Sequence, residues 1–145
     1  MGYGGFPENL KPPQAAPMTL LAALFAAALA LATAPAPLNP DVTPATQAAT
    51  ICTPGWTDSV RPRSSYVAAL ERAMLPAGAD PRAFVMDHVM PLALGGHPSD
   101  PGNLRPQPVA EARAKDVLER ALGRAVCSGR LSLPEAQARM RAAWP

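Results

Sequence analysis

Lysine is almost missing from this chain: of its 13 basic residues only Lys11 and Lys115 are lysines, the rest arginines. Aromatic residues make up 5% and charged residues 17%, against 48% hydrophobic. So little charge beside so much apolar content excludes a charge-rich disordered protein. The net charge of +2 is too small to announce a nucleic-acid partner by itself. No long internal repeat is visible, which excludes a solenoid or propeller. With 145 residues the chain has room for one domain at most.

The apolar residues are unevenly spread. Met18 to Ala34 is an uncharged run in which only Thr19 and Thr33 are polar. A membrane-spanning helix needs roughly 20 apolar residues and the central part of a signal peptide about 7–15, and this run fits the second better. Ala30-Leu31-Ala32 and Ala32-Thr33-Ala34 both have the small-residue form of a cleavage site, although Glu8 weakens the positive flank made by Lys11. Residues 1–34 are therefore expected to be a signal peptide, or alternatively an uncleaved inner-membrane anchor. The protein would be periplasmic or secreted, and its membrane contact through this segment transient. Residues 35–50 follow as a Pro/Ala/Thr-rich linker, in which Pro35, Pro37, Pro40 and Pro44 favour extended conformations.

The domain then runs over residues 51–145. A unit this small often needs a staple. Cys52 and Cys127, one near each end, supply a disulfide in a chain bound for an oxidising compartment. Neither lies in a C-x-x-C pattern, which argues against a cysteine-held zinc.

Local patterns give mixed structure. Ser64 or Ser65 is placed to cap a helix through Tyr66–Met74, with Val67, Leu70 and Met74 on one face. Phe84–Met90 is apolar and β-branched enough for a strand. Gly95-Gly96 signals a turn, and Gly102–Pro106 a short returning strand. Val109 to about Val126 has helical spacing at Val117, Leu118, Ala121, Leu122 and Val126. Ser132 and Glu135 form a capping box with Pro134 in the first turn, opening a last helix with Ala136, Met140 and Ala143 inward. Trp56 and Trp144 read as core. The fold class is α+β, a hairpin flanked by helices, and the chain is expected to be a monomer.

The run Asp87-His88-Val89-Met90-Pro91-Leu92-Ala93-Leu94-Gly95-Gly96, followed by Asn103-Leu104, resembles the HNH nuclease motif. The segments Ile51–Thr57 with Val60-Arg61-Pro62, and Val126–Leu133 with Ala136-Gln137, are similar to those of small exported HNH-like bacterial proteins. The resemblance covers nearly all of residues 51–145 and implies a ββα-metal unit that hydrolyses phosphodiester bonds of DNA, or of RNA, without sequence preference. It makes His88 the general base, a role suited to a group that titrates near neutral pH. Asp87 becomes a ligand for a divalent cation, Mg²⁺ first because carboxylate oxygen suits it, with Mn²⁺ or Zn²⁺ as alternatives. Asn103 would brace the loop, and Lys115 and Arg105 would contact phosphate.

The third ligand position departs from the pattern. It falls on Ala112, which coordinates nothing, while Lys115 stands where the family often has lysine. Glu111 or Asp116 on the helix is the preferred surrogate, ahead of Glu119 and of His97, which reads as a solvated loop residue. From Arg105 onward eight basic and four acidic side chains leave a local excess of positive charge. That excess suits a phosphate-tracking face, or equally the wet side of two amphipathic helices. An Asp-His pair can also be purely structural. The alternative function is therefore a catalytically inactive exported domain that keeps the scaffold as a binding module.

Overall fold

The computed structural model describes residues 35–144, so both readings of residues 1–34, signal peptide and anchor, lie outside the described residues. Among the described residues four α-helices and a two-stranded antiparallel sheet follow one another in the order α1 (Trp56–Ser59), α2 (Ser64–Met74), β1 (Phe84–His88), β2 (Leu104–Pro108), α3 (Val109–Cys127) and α4 (Leu133–Ala143). The α+β class expected from the sequence is the observed one. The strands pair in register from Phe84 opposite Pro108 to His88 opposite Leu104. Prolines at 106 and 108 cost β2 two ladder donors, which a strand with only one neighbour tolerates.

Successive strand residues face opposite ways. Asp87 and Gln107 turn towards α3 and α4, while Met86, His88 and Leu104 line a cleft with α2. The sheet is thus covered on both faces. The core gathers beyond its end, where Met90 and Leu94 meet Leu122 and Val126 of α3 and Leu133, Ala136 and Met140 of α4. Helix α4 starts as its capping box dictates, with Glu135 N–H donating to Ser132 Oγ and the Glu135 carboxylate accepting from Ser132 N–H.

Several elements differ from their sequence expectation. Helix α2 is capped by Arg63, whose carbonyl takes the Tyr66 and Val67 amides, so Ser64 and Ser65 lie inside the first turn and cap nothing. Strand β1 stops at His88, because beyond it Met90 pairs with the Asn103 side chain instead of a strand. On α3 the inward row is Ala112, Lys115, Leu122 and Val126, while Val117 is 62% exposed. Ala143 is exposed, and the inner face of α4 is completed by Leu133 and Gln137.

The stretch read as a linker packs on the domain within the described residues. Asn39 N–H donates to Gly95 O (2.9 Å) and His97 N–H to Pro37 O (2.9 Å), around a bridge between Leu38 and Gly96. Val42 is buried against Gly95, whose φ of 79° and lack of a Cβ accommodate it; a Cβ there would lie 2.8 Å from a Val42 methyl. Proline-rich composition predicts extended backbone, but only Leu38 forms a bridge to the domain, and residues 40–41 and 44–50 are turns closed by bonds such as Gln47 N–H to Thr43 O (2.9 Å). The arm ends at Cys52, which is joined to Cys127 as expected, with Ile51 and Trp56 packed into the core beside it.

Candidate functional site

Asp87 and Lys115 make the centre of the site. The Lys115 ammonium is fully buried and donates to Asp87 Oδ2 (2.8 Å) and to the His88 carbonyl (2.6 Å). The other carboxylate oxygen, Asp87 Oδ1, accepts the His88 N–H (2.8 Å). With its amide oriented so that oxygen meets the Trp144 indole N–H (3.1 Å), Gln107 donates to Asp87 Oδ2 (2.8 Å) as well. A buried ammonium costs several kcal/mol in lost hydration unless paired and hydrogen-bonded, and here it is both. Lys115 therefore anchors the end of β1 from within. The phosphate contact expected of it has no room, since no part of its side chain reaches solvent.

His88 follows on the strand and is 9% exposed. Its Nε2 lies 2.8 Å from the Pro98 carbonyl oxygen, which can only accept, so the ring proton sits on Nε2 and Nδ1 keeps a lone pair. Burial holds the imidazole below its usual value, against the Pro98 bond and the Asp87 charge that act the other way; Arg61 and Lys115 add to the depression. A neutral imidazole with a free lone pair is the state a general base requires.

Asn103, fully buried, spends its whole amide on the loop between the strands. Oδ1 accepts from Met90 N–H (2.7 Å), and Nδ2 donates to Met90 O (3.0 Å) and His97 O (2.8 Å). These bonds tie the loop to the end of β1; the catalytic role that the resemblance implies for Asn103 is a separate matter of chemistry. Gly96 makes the close approach possible, because a Cβ there would fall 1.8 Å from the Met90 carbonyl oxygen. His97 caps the loop: its Nδ1 accepts from the amides of Ser99 and Asp100 (3.3 and 2.9 Å). Its ring is thus committed to its own turn.

Between β1, the residues after it and α3 lies a polar-walled pocket of about 260 Å³, lined by Arg61, Asp87, His88, Pro91, Leu92, Asp116 and Glu119. Of the surrogate ligands considered, Asp116 and Glu119 reach this pocket, while Glu111 is exposed and does not line it. Burial pushes the Glu119 carboxyl up, opposed by Lys115 and reinforced by Asp87 and Asp116. Arg105 sits opposite Asp87 in the strand register, half-buried. Ala112 is buried on the same row of α3.

Asp87 is committed to the fold and does not serve as the metal ligand that the resemblance implies. Both Asp87 oxygens are engaged, and no group of three or more His, Cys, Asp or Glu among the described residues is arranged to hold an ion. Two features of the site escaped the sequence reading. The spacing of Ala112, Lys115, Glu119, Leu122 and Val126 alternates between three and four, so it could have turned Lys115 and Glu119 inward had charged residues been allowed on the stripe. Arg61, given no role within the Val60-Arg61-Pro62 segment, Trp144, read as core, and Gln107 meet the site only through the fold. No protein-family model, curated protein or solved structure matches the chain.

Proposed function

We propose that the protein is an exported HNH-type endonuclease that hydrolyses phosphodiester bonds of DNA, or of RNA, with His88 as the general base. The observation that carries this reading is the placement of His88: bonded through Nε2 to the Pro98 carbonyl, held below its usual value by burial, and lining a polar pocket with the carboxylates of Asp116 and Glu119. A water beside Nδ1 would lose its proton to the ring as its oxygen attacks phosphorus, and the P–O bond to the leaving oxygen breaks. A divalent cation, Mg²⁺ first, would stabilise the charge on the scissile phosphate. Asp116 and Glu119, which line the pocket, would hold it in place of the Asp87 ligand expected from the resemblance. Asp87, with Lys115, fixes the backbone of His88, and Asn103 fixes the loop that presents Pro98. The Cys52–Cys127 disulfide fits the oxidising compartment of an exported protein.

A second reading is favoured by one specific observation. The carboxylate that should bind metal holds an ammonium instead, as a scaffold retained for binding alone would allow. Digestion of plasmid DNA and of RNA by the oxidised chain with Mg²⁺, Mn²⁺ or Zn²⁺, beside His88→Ala, separates the two. Cleavage lost in His88→Ala supports the nuclease. Wild-type inactivity with all three ions, together with no metal binding by calorimetry, selects the binding module.

A further inference from the structure

We propose that Arg61 is the phosphate-binding residue of this site: its guanidinium holds a non-bridging oxygen of a phosphodiester in the pocket beside His88. The inference rests on the nuclease reading for its chemistry, but its geometry stands alone. A phosphodiester anion needs a cationic partner, and Lys115 is sealed behind Asp87. Apart from the His88 imidazole, Arg61 is the one basic side chain lining the pocket among the described residues. It also lines the adjoining cleft with Val67, Met86 and Leu104, so it stands on the wall shared by both openings onto His88.

Its present engagement is slight. A single contact of 3.4 Å joins Arg61 Nε to Asp58 Oδ1, between side chains that are 60% and 80% exposed, and such surface pairs hold little. Arginine suits the task better than lysine, because its planar fork can offer two parallel N–H groups to two phosphate oxygens. Arg61 is carried to its place by covalent and packing restraints. The disulfide fixes Cys52, Trp56 packs against the core, and α1 with Val60 leads directly into Arg61. Asp116 and Glu119 oppose an anion on the other wall, so the guanidinium and a cation held by those carboxylates would share the phosphate charge between them.

The test uses the full oxidised chain and two readouts. The first is the His88 ring resonance during titration with the dinucleotide d(TpT), in the presence of Ca²⁺, with thymidine as the phosphate-free control. The dinucleotide is expected to shift His88 and thymidine to leave it in place. Arg61→Gln should weaken binding about tenfold or more, the loss of one charge-assisted contact, while Arg61→Lys recovers part of it. Arg63→Gln, two positions on and outside the pocket, should bind as wild type does. The second readout is plasmid cleavage, where Arg61→Gln should lower the rate about a hundredfold. A dinucleotide that fails to shift wild-type His88, or that binds Arg61→Gln as tightly, overturns the proposal. Wild-type cleavage matched by Arg61→Gln likewise sinks it while the nuclease stands. An Arg61-dependent titration without any cleavage sinks the nuclease and leaves the phosphate site.

Discussion

Replacing Lys115 by methionine keeps an unbranched side chain one atom shorter and removes its charge, and the structure fixes what that costs. Two contacts disappear, to Asp87 Oδ2 at 2.8 Å and to the His88 carbonyl at 2.6 Å. Removing one partner of a buried pair generally costs about 3–5 kcal/mol, because the other charge is stranded. Asp87 retains 21% side-chain exposure and its bonds from His88 N–H and Gln107, so water and neighbours relieve part of the penalty. The lower end, about 3 kcal/mol, is the expected loss. At about 1.5 kcal/mol per molar urea, a usual slope for a small domain, the unfolding midpoint should fall by about 2 M. Trp56 and Trp144, both packed against the core, report the transition by fluorescence under non-reducing conditions. Lys115→Met combined with Asp87→Asn removes the stranded charge and should recover about half of the loss. A drop below about 1 kcal/mol in Lys115→Met, or a double variant less stable than the sum of its parts, would refute the account of Lys115 as a buried anchor.

Three further outcomes follow from the same contacts. Gly96→Ala should lose about 3 kcal/mol or fail to fold, since its Cβ meets backbone at 1.8 Å and not a side chain that can swing away; solubility and a urea melt decide. Reducing Cys52–Cys127, which are 75 positions apart, should lower stability by about 4–5 kcal/mol in the chain-entropy account, read as the difference between melts with and without reductant. An unchanged melt would show that the core holds the arm unaided. For His88 the sign runs one way: its value in the fold lies below the ordinary 6.5, so the unfolded chain takes up the proton first. Its contribution to stability is complete above pH 6.5 and falls as the pH drops through 6.5 towards the folded value. An NMR titration of the ring placing its midpoint above 6.5 would contradict the burial argument.

What the sequence disclosed depended on the range of the interaction that decides it. Strand β1, the Gly95-Gly96 turn and the Ser132–Glu135 capping box are settled by neighbours within a few residues, and they were legible. The disulfide was legible because two cysteines allow one pairing. Asn103 and His88 were found through a motif whose spacing reflects the loop that Asn103 closes. Lys115 was named and misassigned, because a lysine reads as solvent-facing until its partner on a distant strand is known. Arg61 stands in a segment of the resemblance without a role for the same reason: only the fold brings it near His88. The packed stretch of residues 35–50 shows the limit of composition, which marks an extended linker where the chain turns repeatedly and packs on the domain.

The Cys52–Cys127 bond turns the stretch between those two residues into a covalent ring. Arg61, Asp87, His88, Asn103, Lys115, Asp116 and Glu119 all lie inside it, while the preceding arm and α4 lie outside. A protease that opens the exposed turn at Ala77-Gly78 would therefore separate no part of the site from any other. Arg61 would remain on one piece and His88 on the other, tethered through Cys52 and Cys127. In a compartment rich in proteases such a chain can be nicked and still carry its whole site as one particle, and only the loss of the sulfur–sulfur bond would let the halves diffuse apart.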